Sequence, residues 1–135
     1  ACIEAIHETI AEARGRDQLD GFADELESAV GTLKEVTDFL LGSMLEKNID
    51  LVLANSVKYL DVFGNVVIAW MWLKQGVVAS AGRECASSVA DENFYCGKLQ
   101  AMRYFFRYEL PEINAWATIL MTLDDTTHAM QVDWF

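Results

Sequence analysis

Positive charge is scarce in this sequence. Ten Lys and Arg stand against 21 Asp and Glu, so the formal net charge is -11 at pH 7. Binding to nucleic acid or to an anionic membrane surface requires a basic patch, which this balance hardly allows. We therefore expect no nucleic acid and no membrane among the partners, and we expect protein partners that are neutral or basic.

Cysteine is also infrequent. Cys2, Cys85 and Cys96 are odd in number, and none of them forms a C-x-x-C pair. This pattern is typical of reduced, partly buried thiols and indicates a cytoplasmic protein. The first residues mix acidic and apolar side chains and lack the basic start of a secretory signal peptide. The sequence does not begin with Met, which suggests a fragment of a longer protein.

Long apolar runs, repeats and strand patterns are missing. The most apolar window, residues 66–73, is far shorter than the ~20 residues that a membrane span needs, so we expect it to be a core segment. The single proline lies inside a helical pattern. The length of 135 residues and the hydrophobic content of 53% suit one domain that covers residues 1–135.

Apolar residues recur at spacings of three and four, which predicts four helices. The first covers residues 3–15. The second begins at an Asp17 or Asp20 N-cap and extends to Glu46, and the third covers residues 50–81 after a cap at its first residue. Three long helices and a short first one, joined by short connections, predict an all-α antiparallel up-and-down bundle with a short C-terminal tail.

The third predicted helix has an apolar stripe that Trp70 and Trp72 widen to nearly the whole circumference, so we expect it to be central in the bundle. Lys58 and Asp61 lie one turn apart on its polar side and are expected to pair at the surface. The stripe consists of Leu53, Val57, Leu60, Gly64, Val67, Met71 and Val78.

Residues 93–116 form the stretch around which we expect the bundle to be organised. The stretch is apolar over most of its circumference, which predicts that other helices surround it. Ser88 or Asp91 is its candidate N-cap. Pro111 removes one backbone donor and predicts a kink rather than a stop. The apolar tail that ends in Trp134 and Phe135 is too short to be stable alone and must pack on a surface.

No combination of residues predicts chemistry. Glu4 and His7 form an E-x-x-H step, and Asp125 and His128 form a similar one, but the second and third helices lack the inward Glu residues of a carboxylate-bridged metal site. Neither a nucleophile beside a base nor a glycine-rich phosphate loop can be found. We therefore assign no catalytic, cofactor-binding or metal-binding residue to this chain.

The apolar circumference of the third and fourth helices exceeds what this bundle can cover, and surplus apolar surface usually marks an interface. Lys98 can extend along the apolar surface to reach water or can meet a charged partner, and the same choice holds for Glu109. Arg103 and Arg107 can border an interface or be solvated. The candidate interface residues are Lys98, Arg103, Arg107, Trp134 and Phe135.

Several short motifs in order identify a family. They are Tyr59-Leu60-Asp61-Val62-Phe63-Gly64 and Trp70 in the third helix, Phe94, Lys98-Leu99, Ala101, Arg103-Tyr104-Phe105 and Leu110-Pro111 in the fourth, and Asp133-Trp134-Phe135 at the end. Together they resemble the extra C-terminal helical domain of a subgroup of bacterial acyl-CoA dehydrogenases, a subgroup similar to the 3-methylmercaptopropionyl-CoA dehydrogenases.

The resemblance implies a flavoprotein oxidoreductase of fatty acid metabolism. In such enzymes a carboxylate removes the α proton of an acyl-CoA and FAD accepts a hydride, and both the base and the flavin site lie N-terminal to the extra domain. The resemblance therefore implies a non-catalytic domain that packs on the catalytic body of the same polypeptide and contributes to contacts in a homo-oligomer. The alternative is a free-standing acidic helical bundle that binds or assembles other proteins.

Overall fold

The computed structural model describes residues 2–16 and 18–135, and within these residues all regular structure is helical. The predicted all-helical bundle is confirmed. Its α-helices are α1 (Cys2–Arg14), α2 (Asp20–Leu45), α3 (Ile49–Ala54), α4 (Ser56–Glu84), α5 (Val89–Tyr104) and α6 (Glu112–Met121). A π-helical turn, Phe105–Glu109, and a short 3-10 turn, Val132–Trp134, complete the regular structure of this part of the chain.

Neighbouring helices run in opposite directions. Arg16, just before α2, donates to Ser80 near the end of α4 at 3.3 Å, whereas Thr37, late in α2, lies 3.0 Å from the Tyr59 hydroxyl near the start of α4. Helices α4 and α5 are also antiparallel, because Gly82 lies against Tyr95 while the earlier Gly76 lies against Met102.

The core is built from one face of each long helix. Phe106 is the largest fully buried side chain among the described residues, and its ring meets Phe22 edge to face at a centroid distance of 5.2 Å. Buried aliphatic residues surround this pair. They include Ile10, Leu19, Leu26, Val36, Val62, Val66, Leu73, Met102, Leu110, Ile113 and Leu120.

Helix α1 is held to the rest of the bundle by polar contacts as well as by its apolar stripe. Arg14 donates to Asp24 at 2.9 Å and to Glu27 at 2.6 Å. These hydrogen bonds raise the pKa of Arg14, with the bond to Asp24 as the largest cause. Thr9 accepts a hydrogen bond of 2.8 Å from the indole N–H of Trp70, so α1 contacts both α2 and α4.

The predicted third helix forms two helices, because the helical structure is interrupted at Asn55 between α3 and α4. The Asn55 side chain is buried and donates to the carbonyls of Leu51 at 3.0 Å and Asp124 at 2.8 Å. Such side-chain bonds to nearby carbonyls compete with the helical ladder. Asn55 thereby joins the junction between α3 and α4 to the segment that follows α6.

The predicted kink at Pro111 takes the form of a π-helical turn followed by a separate helix. Because Pro111 has no N–H, it cannot continue the α-helical ladder. The Leu110 N–H instead donates to the Phe105 carbonyl at 2.9 Å, five residues back. Leu110 and Pro111 keep right-handed helical torsion angles, so the backbone continues into α6 without a loop.

The prediction that residues 93–116 are surrounded by other helices is wrong. Phe94 is 60% exposed, Tyr104 is 54% exposed and Tyr108 is 68% exposed. The two tyrosines stack on each other with ring centroids 5.0 Å apart, and their hydroxyls make exposure less costly than it would be for Phe. Helix α5 thus lies on the side of α4, and its apolar residues remain partly open to solvent.

Only some of the predicted caps are found. Ser88 is the N-cap of α5, and its side chain accepts a hydrogen bond of 3.1 Å from the Asp91 N–H. Asp20 is the first residue of α2 rather than its cap, and the other candidate, Asp17, lies outside the described residues. Asp50 lies in the first turn of α3, after Asn48.

Candidate protein interface

One side of α4 is apolar and faces away from the bundle. Val57, Leu60 and Val78 are 68%, 63% and 65% exposed. The buried residues of α4 lie on the opposite side and are smaller: Val62, Val66, Ala69, Leu73, Gly76 and Ala79. We call the exposed side the outer face of α4, and its large residues are Val57, Leu60, Phe63, Ile68, Met71 and Val78.

The stripe that suggested a central third helix is therefore mostly the solvent-facing side of α4. The sequence alone could not distinguish the two sides, because both are apolar at helical spacing. The smaller residues of the other stripe are its distinguishing feature, since small side chains let neighbouring helices approach closely. At Gly76, an added Cβ would lie 2.3 Å from the Met102 sulfur.

Helix α4 is long and apolar enough to cross a membrane by length and composition alone. Its most apolar 18-residue window has a mean hydropathy of 1.3, and 33% of that window is buried inside the chain. The apolar region is thus longer than the residues 66–73 that the sequence singled out. A core helix of a bundle meets the same criterion, so this observation is weak evidence for a membrane span.

A mostly apolar groove of about 360 Å³ lies where the outer face of α4 meets α5. Lys98 lines it, and its ammonium nitrogen lies 5.6 Å from the centre of the Phe94 ring. Lys98 is half-buried, which fits a side chain that covers apolar surface while its charge reaches water. The groove residues are Met71, Lys74, Gln75, Val78, Ala79, Phe94, Tyr95 and Lys98.

Arg103 and Arg107 line a different groove, of about 480 Å³, between α5 and the start of α2. Arg107 pairs with Glu25 and lies 5.5 Å from the centre of the Phe22 ring. Among the described residues, Arg103 has no ion pair. The structure therefore brings the two arginines together, one turn apart, and places Lys98 in the other groove.

The tail does not pack on the described part of the chain. Trp134 is 68% exposed and Phe135 is 94% exposed, and neither lines the two grooves described above. The other tryptophans are half-buried. The expectation that the tail packs on a surface therefore requires a surface outside this chain.

Other chemistry has little support in the geometry. His7 and His128 are exposed, and within residues 2–16 and 18–135 no three His, Cys, Asp or Glu residues are grouped to hold a metal ion. No glycine in this part of the chain has a positive φ, so none forms the backbone concavity that binds phosphate in many nucleotide sites. We assign no flavin site to these residues.

Comparison with known proteins gives the family. The sequence model of the family described as "Acetyl-CoA dehydrogenase C-terminal like" matches residues 2–131. The chain belongs to this family. The match covers all six α-helices and the π-helical turn, so the bundle as a whole corresponds to the family's domain.

A curated relative is similar over part of the chain. It is the broad-specificity linear acyl-CoA dehydrogenase FadE5 of Mycobacterium tuberculosis, which is 29% identical over 70 residues. The aligned region is 52% of this chain and 12% of the relative. The chain thus corresponds to a small part of that enzyme, as expected for a domain of the acetyl-CoA dehydrogenase C-terminal-like family.

Proposed function

We propose that this chain is the non-catalytic C-terminal helical domain of an FAD-dependent acyl-CoA dehydrogenase. In this proposal the domain packs on the catalytic body of the same polypeptide and contributes to contacts between subunits. The dehydrogenase would be a cytoplasmic homo-oligomer. The base and the flavin site would belong to the part of the enzyme that precedes the domain.

The observation that supports this role best is the large number of exposed apolar side chains, in a chain that belongs to this family. The outer face of α4, Phe94 on α5, and Trp134 and Phe135 in the tail are all exposed. Exposed apolar surface of this extent is typical of protein interfaces. A domain whose own core is complete has no internal use for these residues, whereas a domain attached to a larger enzyme can bury them.

The proposal can be tested on the coding sequence and its product. We expect the reading frame to continue upstream of Ala1 into a dehydrogenase. The longer product should show a flavin absorption spectrum and should reduce an electron-accepting dye with an acyl-CoA substrate. The 135-residue chain alone should do neither. A start codon just before Ala1, or dye reduction by the chain alone, would contradict the proposal and favour a different role.

The substrate class is not part of the proposal, because the active site would belong to the part of the enzyme that precedes this domain. The subgroup that the motifs resemble is named for 3-methylmercaptopropionyl-CoA, whereas the relative in Mycobacterium tuberculosis is named for linear acyl-CoA substrates. Initial rates of the longer product with 3-methylmercaptopropionyl-CoA and with a series of linear acyl-CoAs would distinguish the two.

A further inference from the structure

The groove between α5 and the start of α2 collects positive charge in an acidic chain. Three of the ten basic residues line it, and among the described residues that line it none is Asp or Glu. A groove with apolar walls and a few charged groups suits a ligand that is itself apolar and negatively charged. We call it the arginine groove, and it is lined by Arg83, Arg103 and Arg107 together with the apolar Phe22, Leu99 and Met102.

Two of the three arginines already have carboxylate partners. Arg107 pairs with Glu25, and Arg83 lies 3.8 Å from Glu92. Arg103 is exposed and has no ion pair among the described residues. A free guanidinium can bind a carboxylate through two parallel N–H donors. The arginine groove therefore fits an occupant that has one carboxylate with apolar side chains beside it.

The tail of this chain has that composition. Residues 129–135 contain one charged side chain, Asp133, and the apolar residues Val132, Trp134 and Phe135 are 87%, 68% and 94% exposed. In a 3-10 turn, residues three apart lie on the same side. Val132 and Phe135 therefore face one way, because the Phe135 N–H donates to the Val132 carbonyl at 3.5 Å. Asp133 lies beside this apolar pair, as the free guanidinium lies beside the apolar wall of the groove.

The tail of the same chain is too short to fill the groove comfortably. Arg103 lies 21 residues before Asp124, which is about 31 Å along α5, the π-helical turn and α6 at 1.5 Å per residue. The nine residues from Asp124 to Asp133 cover this distance only when fully extended, at roughly 3.3–3.6 Å per residue. They instead contain a hydrogen-bonded turn and a 3-10 turn. A tail that fills the arginine groove therefore comes from another molecule.

We propose that the arginine groove binds the tail of a second copy of this chain, with Asp133 on Arg103. The tail leaves the bundle where Asp124 is bonded to Asn55, at the start of α4, whereas Arg83 lies near the end of α4. Two bundles that lie side by side in antiparallel orientation therefore bring each tail to the groove of the other copy, and two-fold symmetry makes the contact occur twice. This inference deepens the subunit contact proposed above and rests on that proposal.

The direction of the tail in the groove follows from what the groove already holds. Cys96, Arg103 and Arg107 lie on one side of the rod that α5 starts, and all three line the groove. The guanidinium of Arg107 lies 5.5 Å from the centre of the Phe22 ring, so that end is occupied. Phe135 therefore points from Asp133 towards Cys96. The groove volume of about 480 Å³ is within the range of about 300–1,000 Å³ that encloses drug-sized ligands, which leaves room for this ring.

Binding of a tail peptide tests the groove in the full-length protein. The probe is a fluorescent peptide of residues 129–135 with uncharged ends, and Trp134→Ser with Phe135→Ser in the protein empties the groove. We expect Arg103→Asp to weaken binding about tenfold, whereas Lys34→Asp, a change at an exposed lysine on α2, should alter it less than about twofold. Fluorescence anisotropy gives the dissociation constants, and circular dichroism verifies the fold.

Charge exchange tests the assigned pair. A peptide with Asp133→Arg should bind the unmodified groove about tenfold more weakly and should bind the Arg103→Asp groove to within about threefold of the original pair. Equal effects of Arg103→Asp and Lys34→Asp would overturn the proposal, and so would the absence of saturable binding up to about 1 mM peptide.

Cross-linking shows which copy supplies the tail. With the other cysteines of the full-length protein replaced by Ser, Phe135→Cys should form a disulfide with Cys96 of a second copy under a mild oxidant, because the two residues meet in the groove. Electrophoresis without reducing agent should then show a covalent dimer. The same protein with Cys96→Ser is the matched control and should remain monomeric. A dimer in the control, or a disulfide formed only within one chain, would overturn the proposal.

The test separates this inference from the proposed function. If neither the peptide nor the cross-link detects the contact while the longer product keeps its flavin and activity, only the tail contact is rejected, and the catalytic body is the surface that remains for the tail. Absence of flavin and activity would reject the proposed function, whereas peptide binding and the cross-link would still decide whether two copies exchange their tails.

Discussion

Phe106 lies at the centre of the core. It is 1% exposed and contacts the edge of Phe22, whereas the adjacent Phe105 is only partly buried. We expect Phe106→Ala to lower the free energy of unfolding by about 3–5 kcal/mol. Phe105 belongs to the same apolar stretch of the sequence, and only the packing shows that its neighbour Phe106 is the central aromatic.

Urea denaturation followed by circular dichroism would measure this difference. Phe105→Ala should cost clearly less, and Tyr108→Ala, at a site 68% exposed, should change the free energy by no more than about 0.5 kcal/mol. Equal losses for Phe105→Ala and Phe106→Ala would contradict the assignment of Phe106 as the core residue.

Asn55 is the second residue whose role follows from burial. It is 5% exposed, and its side-chain amide donates to Leu51 and Asp124. Asn55→Ala should destabilise the protein by about 1–3 kcal/mol, because the carbonyls of Leu51 and Asp124 lose the buried side-chain donor that they share. Asn114→Ala is the matched control, since exposed Asn114 donates to the Pro111 carbonyl at 3.2 Å.

The control should cost no more than about 0.5 kcal/mol, because water replaces an exposed hydrogen bond. Amide hydrogen exchange adds a local measurement. Asn55→Ala should increase exchange in residues 121–131, which follow α6, more than in α2. Uniform changes along the chain would mean that Asn55 supports only global stability and does not position the C-terminal segment.

At the scale of single elements, the start of α5 depends on one side chain. Ser88 accepts from the Asp91 N–H at 3.1 Å and donates to the Asp91 carboxylate at 2.7 Å, so the two residues satisfy each other. Ser88→Ala should cost about 1 kcal/mol. Ser87→Ala should cost less than about 0.5 kcal/mol, because Ser87 is also exposed and near Asp91 but is not the cap. Thermal unfolding of both variants would show the difference.

Local features of these elements could be predicted from the sequence. The Ser88 cap and the Lys58–Asp61 pair depend on residues three apart, and both are found. The break at Asn55 could not be predicted, because one of its hydrogen bonds reaches Asp124, far along the chain. Periodicity also could not decide which apolar side of α4 faces the core.

The candidate interface could also be predicted only in part from the sequence. Exposed apolar surface on the helices was expected from their wide apolar circumference and is present. Arg103 and Arg107 share a groove because they are four residues apart where α5 continues into the π-helical turn, whereas Lys98 lies on another side of α5. The large exposed residues of α4 were predicted as part of the central stripe, and only the packing of α1, α2 and α6 shows that they face outward.

At the scale of the whole molecule, net charge opposes self-association. Each chain carries a formal charge of -11, so two copies repel each other at long range, whereas exposed apolar side chains that meet between copies attract at short range. Raising the salt concentration from about 0.01 M to 0.15 M shortens the Debye length from about 30 Å to 8 Å. This change suppresses the long-range repulsion and leaves apolar contact nearly unaffected.

We therefore expect any self-association of the 135-residue chain to become tighter as salt is added over this range. Sedimentation equilibrium at several salt concentrations would give the slope of the dissociation constant. Association that weakens with salt would show that ion pairs, rather than contact between apolar side chains, supply most of the attraction.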